Sequence, residues 1–488
     1  MQMKRFKQGC FLGLMLLAVS ITCTAKIKLP AIISSHMVLQ RNTSVTLWGW
    51  ADANEKISVN LSWLKEPVNI IADKNGNWKA GIQTTDSKKP QTVRIKSISS
   101  NIFLEDILFG EVWLCSGQSN MTMPVKGFNG QPIFGAQQAI ANAENNNIRL
   151  FTVDQQASLE PQNDLGKYKT WQQANAASVK EFSAVGYFFG KQLQEILDVP
   201  VGLIHTSWGG SLIEAWMSTE TLSAIQEVDL KNVDLNRGNR FPTVLFNAMI
   251  NPLIPYTLKG MIWYQGEGNA SKPDHYKQLF PAMVKDWRAR WGIGDFPFFY
   301  VQIAPYMYDT TNRMDARNNA AFMREVQMNC VDLIPNSGIA VTMDLGEGRN
   351  IHPPRKKEVA DRLLYNALNK TYGYKDVDYS GPVYESMEVK NEGIFLSFRN
   401  AELGFYAPGE LNGFEIASDD KVFYPATASI VGGNRVFVKT EQVKNPVAVR
   451  YAWHSWIMGS LHDTFLLPAS SFRTDVWTDA RESEKSKQ

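Results

Sequence analysis

"FSAVGYFFGKQLQEILDVPVGLIHTSWGGS", Phe182 to Ser211, changes its period halfway along. From Phe182 to Leu197 apolar residues recur at helical spacing, and Ser183 is placed to cap the first turn. Beyond Asp198 and Pro200 a short apolar run, Val201 to Ile204, ends in small and polar residues around Gly209 and Gly210. A helix feeding a buried strand that stops at a glycine turn is one repeat of a parallel α/β sheet.

The alternation extends both ways. "VWLCSGQSNM" (Val112–Met121) and "LKGMIWYQGEGNAS" (Leu258–Ser271) are again apolar runs ending in small polar residues. "SLIEAWMS" (Ser211–Ser218) starts a further helix, and "HYKQLFPAMVKDWRARWG" forms one that stops at Gly292. "FPFFYVQIAPY" is a strand, "DARNNAAFMREVQMNC" a helix, "SGIAVTMDLGEG" a strand and loop, and "RKKEVADRLLYNAL" (Arg355–Leu368) a helix. The reading is an α/β unit over residues 108–375 with helices on both faces of a parallel sheet.

The flanks differ. Over residues 26–107 short β-branched and aromatic runs, "SVTLWGWA", "KISVNLSW", "VNIIAD", "NWKAGI" and "QTVRIKSI", are separated by turn residues, with "DKNGNW" a hairpin turn. This is the pattern of a small β-sandwich. Over residues 376–488 strands return without helices, as a second β region that packs beside the first or stands alone. "MQMKRFKQ", the apolar run after it and Cys23-Thr24-Ala25 read as a signal peptide over residues 1–25, too short to span a bilayer. The expected location is therefore periplasmic. A lipid anchor at Cys23 is the weaker alternative, since "SIT" matches an attachment box poorly. No later segment is long and apolar enough to be membrane-spanning.

With 488 residues, 44% of them apolar, the chain can build a large core. A formal net charge of +2, with Lys and Arg scattered, gives no basis for nucleic acid or an anionic membrane as partner. The tail "RESEKSKQ" reads as a frayed end. Cys115 and Cys330 are the two cysteines beyond the signal, so the mature chain is not a disulfide scaffold; one bridge or two buried thiols both fit. No Cys/His cluster has zinc spacing. Oligomeric state is not encoded in any of these patterns.

In a parallel sheet, ligands bind at the carboxyl ends of strands. Four segments there carry chemistry: "CSGQSN", "HTSWGGS", "YQGEGN" and "DLGEGRNIHPPRKK". Acyl transfer by serine needs an exposed hydroxyl at a strand–helix turn, a base, and donors for the oxyanion. Ser119 supplies the hydroxyl, although Met121 breaks the G-x-S-x-G elbow of α/β-hydrolases. His352, in a loop before a helix, supplies the base. The backbone of Gly209 and Gly210 supplies donors, with Gln265 or Asn269 as a side-chain amide. Against this stand plainer roles: Ser119 as a helix cap, Gly209 and Gly210 as a tight turn, Gln265 and Glu267 as buried polar ties. His205 reads as a packed structural histidine, and Lys126 and Arg349 as surface charge rather than contacts to an acidic sugar. Trp208, Trp216 and Trp263 are core by default, with stacking on a sugar as the alternative. Asn269-Ala270-Ser271 matches a glycosylation sequon and reads as coincidence.

The combination "WLCSGQSNM", "FSAVGYFFGKQLQ", "SWGGSLIEAWMS", "FNAMINPLIPYTLKGMIWYQGEGNA", "NIHPPRKKEVADRL" and "LLPASSFRTD" resembles the sialate O-acetylesterase family of SGNH-type hydrolases, over about Phe109 to Asp475. The resemblance implies an SGNH-hydrolase-like sheet. It also implies a nucleophile at Ser119, a base at His352, and an oxyanion hole from Ser119, a glycine of Gly209-Gly210 and Gln265 or Asn269. The implied substrate is an O-acetylated sugar, sialic acid first, with no metal or organic cofactor. Acetylated xylan or xyloglucan is the alternative substrate, and a non-catalytic carbohydrate-binding protein the alternative class. One departure stands out. SGNH enzymes often carry Asp three residues before the histidine, and here that residue is Arg349. An orienting carboxylate would have to be Asp344 or Glu347, or a backbone carbonyl would hold the ring.

Overall fold

The computed structural model describes residues 26–308, 319–390 and 393–477. The segment expected to be a signal peptide, the C-terminal tail and the start of "DARNNAAFMREVQMNC" lie outside them.

The axis of the molecule is one strand, Asn101–Gly117. Its first half pairs antiparallel with Gln91–Lys96 in the N-terminal β region. Its second half is buried without interruption and pairs in parallel with Val201–Ser207 on one side and Gly260–Tyr264 on the other. One strand therefore runs straight through residue 107, where the composition changes. The break in its pattern is Asp106, at φ +54. Arg149, which is buried, forks onto its carboxylate at 2.6 and 3.2 Å, and His36 Nδ1 lies 2.7 Å away.

Across the parallel sheet the strand order is Ser337–Ala340, Phe298–Val301, Gly260–Tyr264, Asn101–Gly117, Val201–Ser207 and Asn145–Val153, with Tyr168–Ala174 antiparallel at the edge. After the central strand the chain builds one side and then crosses to build the other. That reversal makes the end of Asn101–Gly117 the switch point where a crevice opens. The fold is thus an SGNH-like mixed sheet with parallel strands between helices.

Local signals explain the helices. Ser183 Oγ accepts the Gly186 N–H and starts Ala184–Leu197. Pro273–Trp291 ends at Gly292, whose φ of +64 supplies the left-handed cap. Lys356–Thr371 follows the expected segment. "SLIEAWMS" departs from expectation: it makes only a single 3₁₀ turn, Ile213–Trp216. Trp216 there is fully buried, packing edge-on to Trp263 at 6.0 Å, and Trp263 to Trp287 at 5.8 Å. Such pairs add about 0.5–1.5 kcal/mol each beyond burial. The sequence therefore packs as a plug rather than as a longer amphipathic helix.

The five N-terminal runs read from sequence are strands, from Ser44–Trp50 to Gln91–Lys96, and a short further strand, Val38–Gln40, pairs in parallel with Asn101–Gly117. Among the described residues the C-terminal region forms two four-stranded antiparallel sheets and a two-stranded one, Phe405–Tyr406 with His462–Asp463. It packs against the α/β unit. Buried Arg324, on helix Ala321–Leu333, donates to Ser471 Oγ at 2.8 Å and to the carbonyl of His454 at 2.5 Å. Gln302 Nε2 donates to Ser470 Oγ at 2.8 Å. These bonds tie the two parts together, while Arg324 Nη1 and Gln302 Oε1 are left without a partner among the described residues. Among the described residues no helix is long and apolar enough to cross a membrane.

Candidate active site

The three middle strands end level: Gly117 is in register with Ser207 and with Tyr264. Gly117 has φ +138, and a Cβ there would stand 2.2 Å from Tyr264 O, so only glycine lets the two chains close up. Gln118 then staples the first and third segments. Its N–H donates to Tyr264 O at 2.9 Å, and its Oε1 accepts from the Gly268 N–H at 3.1 Å. Ser119 opens a one-turn helix, Ser119–Thr122, and is half-buried.

Gly209 packs against Ser119. A Cβ on Gly209 would meet Ser119 Cβ at 3.3 Å. Asn239 Nδ2 holds the Gly209 carbonyl at 2.8 Å, and Asn239 O accepts the Leu212 N–H at 3.0 Å. Among the described residues, the backbone N–H groups of Ser119, Gly209 and Gly210 donate to no protein acceptor. Unengaged N–H groups beside a half-buried hydroxyl are the kind of donors an oxyanion requires, and Gly209 is the one that packs on Ser119. Arg240, exposed, follows Asn239, and its Nη2 would lie 3.7 Å from a Cβ on Gly210.

His352 lies on the loop between Ser337–Ala340 and Lys356–Thr371, one residue after Ile351, whose carbonyl accepts from Asn120 Nδ2 at 3.1 Å. Its Nδ1 lies 2.8 Å from Gln131 Oε1, and its ring meets Phe128 edge-on at 5.3 Å. An amide oxygen only accepts, so Nδ1 carries the hydrogen and Nε2 keeps the lone pair that a base needs. The carboxylates named from sequence face elsewhere. Asp344 is forked by Arg362 at 2.7 and 2.6 Å, and Glu347 accepts from Asn350 Nδ2 at 3.0 Å. One partner, at Nδ1, is an amide from a loop 221 residues away. Nothing in "NGQP" marks it.

Behind Ser119 lies a buried polar chain. Asn120 Nδ2 donates to Glu267 Oε1 at 2.5 Å and to Ile351 O at 3.1 Å, and Asn120 Oδ1 accepts from Lys356 Nζ at 2.5 Å. Burial raises the pKa of Glu267 against its hydrogen bonds. Burial also pulls Lys356 down to about 7, against the opposing pull of Glu267 and Glu347. A lysine opening a helix carries no signal of burial in the sequence, so Lys356 is not among the residues expected there.

Gln265 and Asn269 are brought together, but as ties. Gln265 Nε2 donates to Ser211 O at 3.1 Å and to Asn269 Oδ1 at 2.8 Å, which engages both amide hydrogens. Asn269 Nδ2 donates to Glu214 Oε2 at 2.9 Å. Both residues are buried, and they hold the second and third segments together.

The remaining candidates sort cleanly. His205 Nε2 meets Ser207 Oγ at 2.6 Å, and burial drops its pKa to about 4, as for a neutral structural ring. Trp216 and Trp263 are core, while Trp208 is half-buried. Lys126 pairs with Glu181 at 2.5 Å, and Arg349 is exposed. Cys115 and Cys330 are both buried and free, so no bridge joins them.

The sequence model of a family described as carbohydrate esterase, sialic acid-specific acetylesterase, matches residues 110–359. The sialate O-acetylesterases of Pongo abelii and Homo sapiens are 31% and 30% identical over 460 residues, each alignment covering 87% of this chain and 87% of the relative. Among solved structures, a carbohydrate acetylesterase from Xanthomonas citri is 35% identical with a TM-score of 0.84, over 92% of this chain and 100% of that one.

Proposed function

Because the chain belongs to the sialic acid-specific acetylesterase family of carbohydrate esterases, we propose that it removes O-acetyl groups from sialic acids through Ser119. Ser119 Oγ attacks the acetyl carbonyl carbon while His352 Nε2 takes its proton. The N–H groups of Ser119, Gly209 and Gly210 receive the oxyanion. Collapse expels the sugar oxygen, which takes the proton back from His352. Water, deprotonated by His352, then attacks the acetyl-serine, and acetate leaves. The observation that carries this reading is the packing of Ser119 on Gly209, with the N–H groups of Ser119, Gly209 and Gly210 all unengaged.

The family model's description supports sialic acid as the sugar, and so does Arg240. Sialic acid carries a carboxylate, and an exposed guanidinium beside Gly210 can grip one with paired donors. Neutral acetylated polysaccharide is the second reading, favoured by the Xanthomonas citri neighbour, whose description specifies only a carbohydrate acetylesterase. Acetate release from O-acetylated sialic acid and from acetylated xylan, measured side by side, decides. Release from xylan alone overturns the sialate reading.

The N-terminal basic and apolar segment supports export with cleavage after Ala25. Mass spectrometry of the protein recovered from cells tests it, the expected mature chain starting at Lys26. An uncleaved chain contradicts it.

A further inference from the structure

The amide of Asn120 sits in a setting that accepts only one orientation. A carbonyl and a carboxylate, Ile351 O and Glu267 Oε1, can only accept, so they require Nδ2. An amine requires the oxygen, and Lys356 Nζ is at Oδ1. Two segments far apart in the chain, one at Glu267 and one at Ile351 and Lys356, therefore meet on one side chain, adjacent to Ser119. Lys356 is fully buried. The groups facing it are Asn120, the Tyr264 ring at 5.5 Å, Glu267 beyond Asn120, and Glu347 on the His352 loop. Burying an amine there is costly, and well-packed apolar residues commonly serve stability as well. A buried donor so placed points to a role in geometry.

We propose that Lys356 is a positioning residue: its amine holds the Asn120 amide in the orientation that ties the Ser119 turn to the loop of His352. The neutral amine still donates, so the tie survives loss of the Lys356 proton. Without the donor, Asn120 Oδ1 is left unpaired in a buried site and the amide is free to turn. The Ser119 turn then loses its link to Ile351, and with it the alignment of nucleophile and base, a small displacement of the kind that slows chemistry severely.

The inference rests on Ser119 being the nucleophile, and the test separates the two. An alkyl fluorophosphonate titrates competent serine nucleophiles. The wild type is expected to label at one equivalent and Ser119→Ala not at all. Absent labelling of the wild type overturns the nucleophile reading itself. Lys356→Met is expected to reach the same one equivalent, but at least tenfold more slowly, with kcat for an aryl acetate lowered to match and KM within about threefold. A merely structural defect lowers the stoichiometry instead. Lys356→Gln, which restores a donor without charge, is expected to recover most of the rate. Asn120→Ala is expected to be slow, with Lys356→Met adding little in its background. Should Lys356→Met not fold, Lys356→Gln and Asn120→Ala carry the test. Multiplying rather than overlapping losses, or Lys356→Gln as slow as Asn120→Ala at full stoichiometry, overturn the proposal.

Discussion

Asn120 Nδ2 donates to Ile351 O at 3.1 Å, so the residue after Ser119 is hydrogen-bonded to the residue before His352. The bond joins the switch point of the sheet to a loop 231 residues further along the chain. The predictions concern what surrounds that junction.

Gln131 is the partner seen at Nδ1 of His352. Gln131→Ala is expected to lower kcat by about 10- to 100-fold, because the ring loses the acceptor that fixes its tautomer. The melting temperature should change little, since Gln131 is only half-buried. Steady-state kinetics with an aryl acetate checks this, and unchanged kcat speaks against an orienting role.

Gly209→Ala places a methyl 3.3 Å from Ser119 Cβ. Crowding there displaces the turn that offers the Gly209 and Gly210 N–H groups. Losing one oxyanion donor typically costs 10²–10³ in kcat, and a loss of about 10- to 100-fold is expected for this partial displacement. Circular dichroism should show the fold intact while kinetics shows the loss.

Arg240 lies beside Gly210 with its guanidinium exposed. If it reads the sugar carboxylate, Arg240→Gln lowers kcat/KM on O-acetylated sialic acid about tenfold more than on the same sugar with its carboxyl methyl-esterified. Equal losses on the two substrates count against the contact.

Asp106 tests a different level of the account. Burial works against its charged form, but the Arg149 fork and His36 outweigh it and hold the pKa down at about 2. The unfolded chain, with an ordinary aspartate near 3.8, takes up the proton first as pH falls. The Asp106 contribution is therefore present above about pH 4 and disappears between 4 and 2. Asp106→Asn should cost about 1 kcal/mol at pH 7, the pair being partly open to solvent. That gap between variant and wild type should close towards pH 2. Denaturant titrations across this range measure it, and a gap that widens as pH falls contradicts the assignment.

What could be read from the sequence is what is decided locally. The Ser183 cap, the Gly292 stop and the five N-terminal strands follow from neighbours within a few residues. The four loop segments were recognisable because each ends a buried strand in small polar residues. What could not be read depends on contacts across the fold. Gln131 reaches His352 across 221 residues. Asp344 looks available in sequence, yet Arg362, one helix later, claims it. Gln265 and Asn269 carry the right amides, but each satisfies a buried partner instead. "SLIEAWMS" reads as the start of a helix, yet Trp216 turns inward to fill the space beside Trp263. A linear pattern gives residue types at a site; tertiary packing decides which of their atoms are left to act.

The central claim is that Ser119 carries the acetyl group. Ser119→Ala removes the hydroxyl from a position already crowded by Gly209 and should fold as the wild type does. Acetate release from O-acetylated sialic acid, followed for wild type and variant at equal concentration of folded protein, is the most direct measurement. The account predicts steady release by the wild type and a loss of at least about 10³-fold in the variant. Full turnover by Ser119→Ala would contradict it.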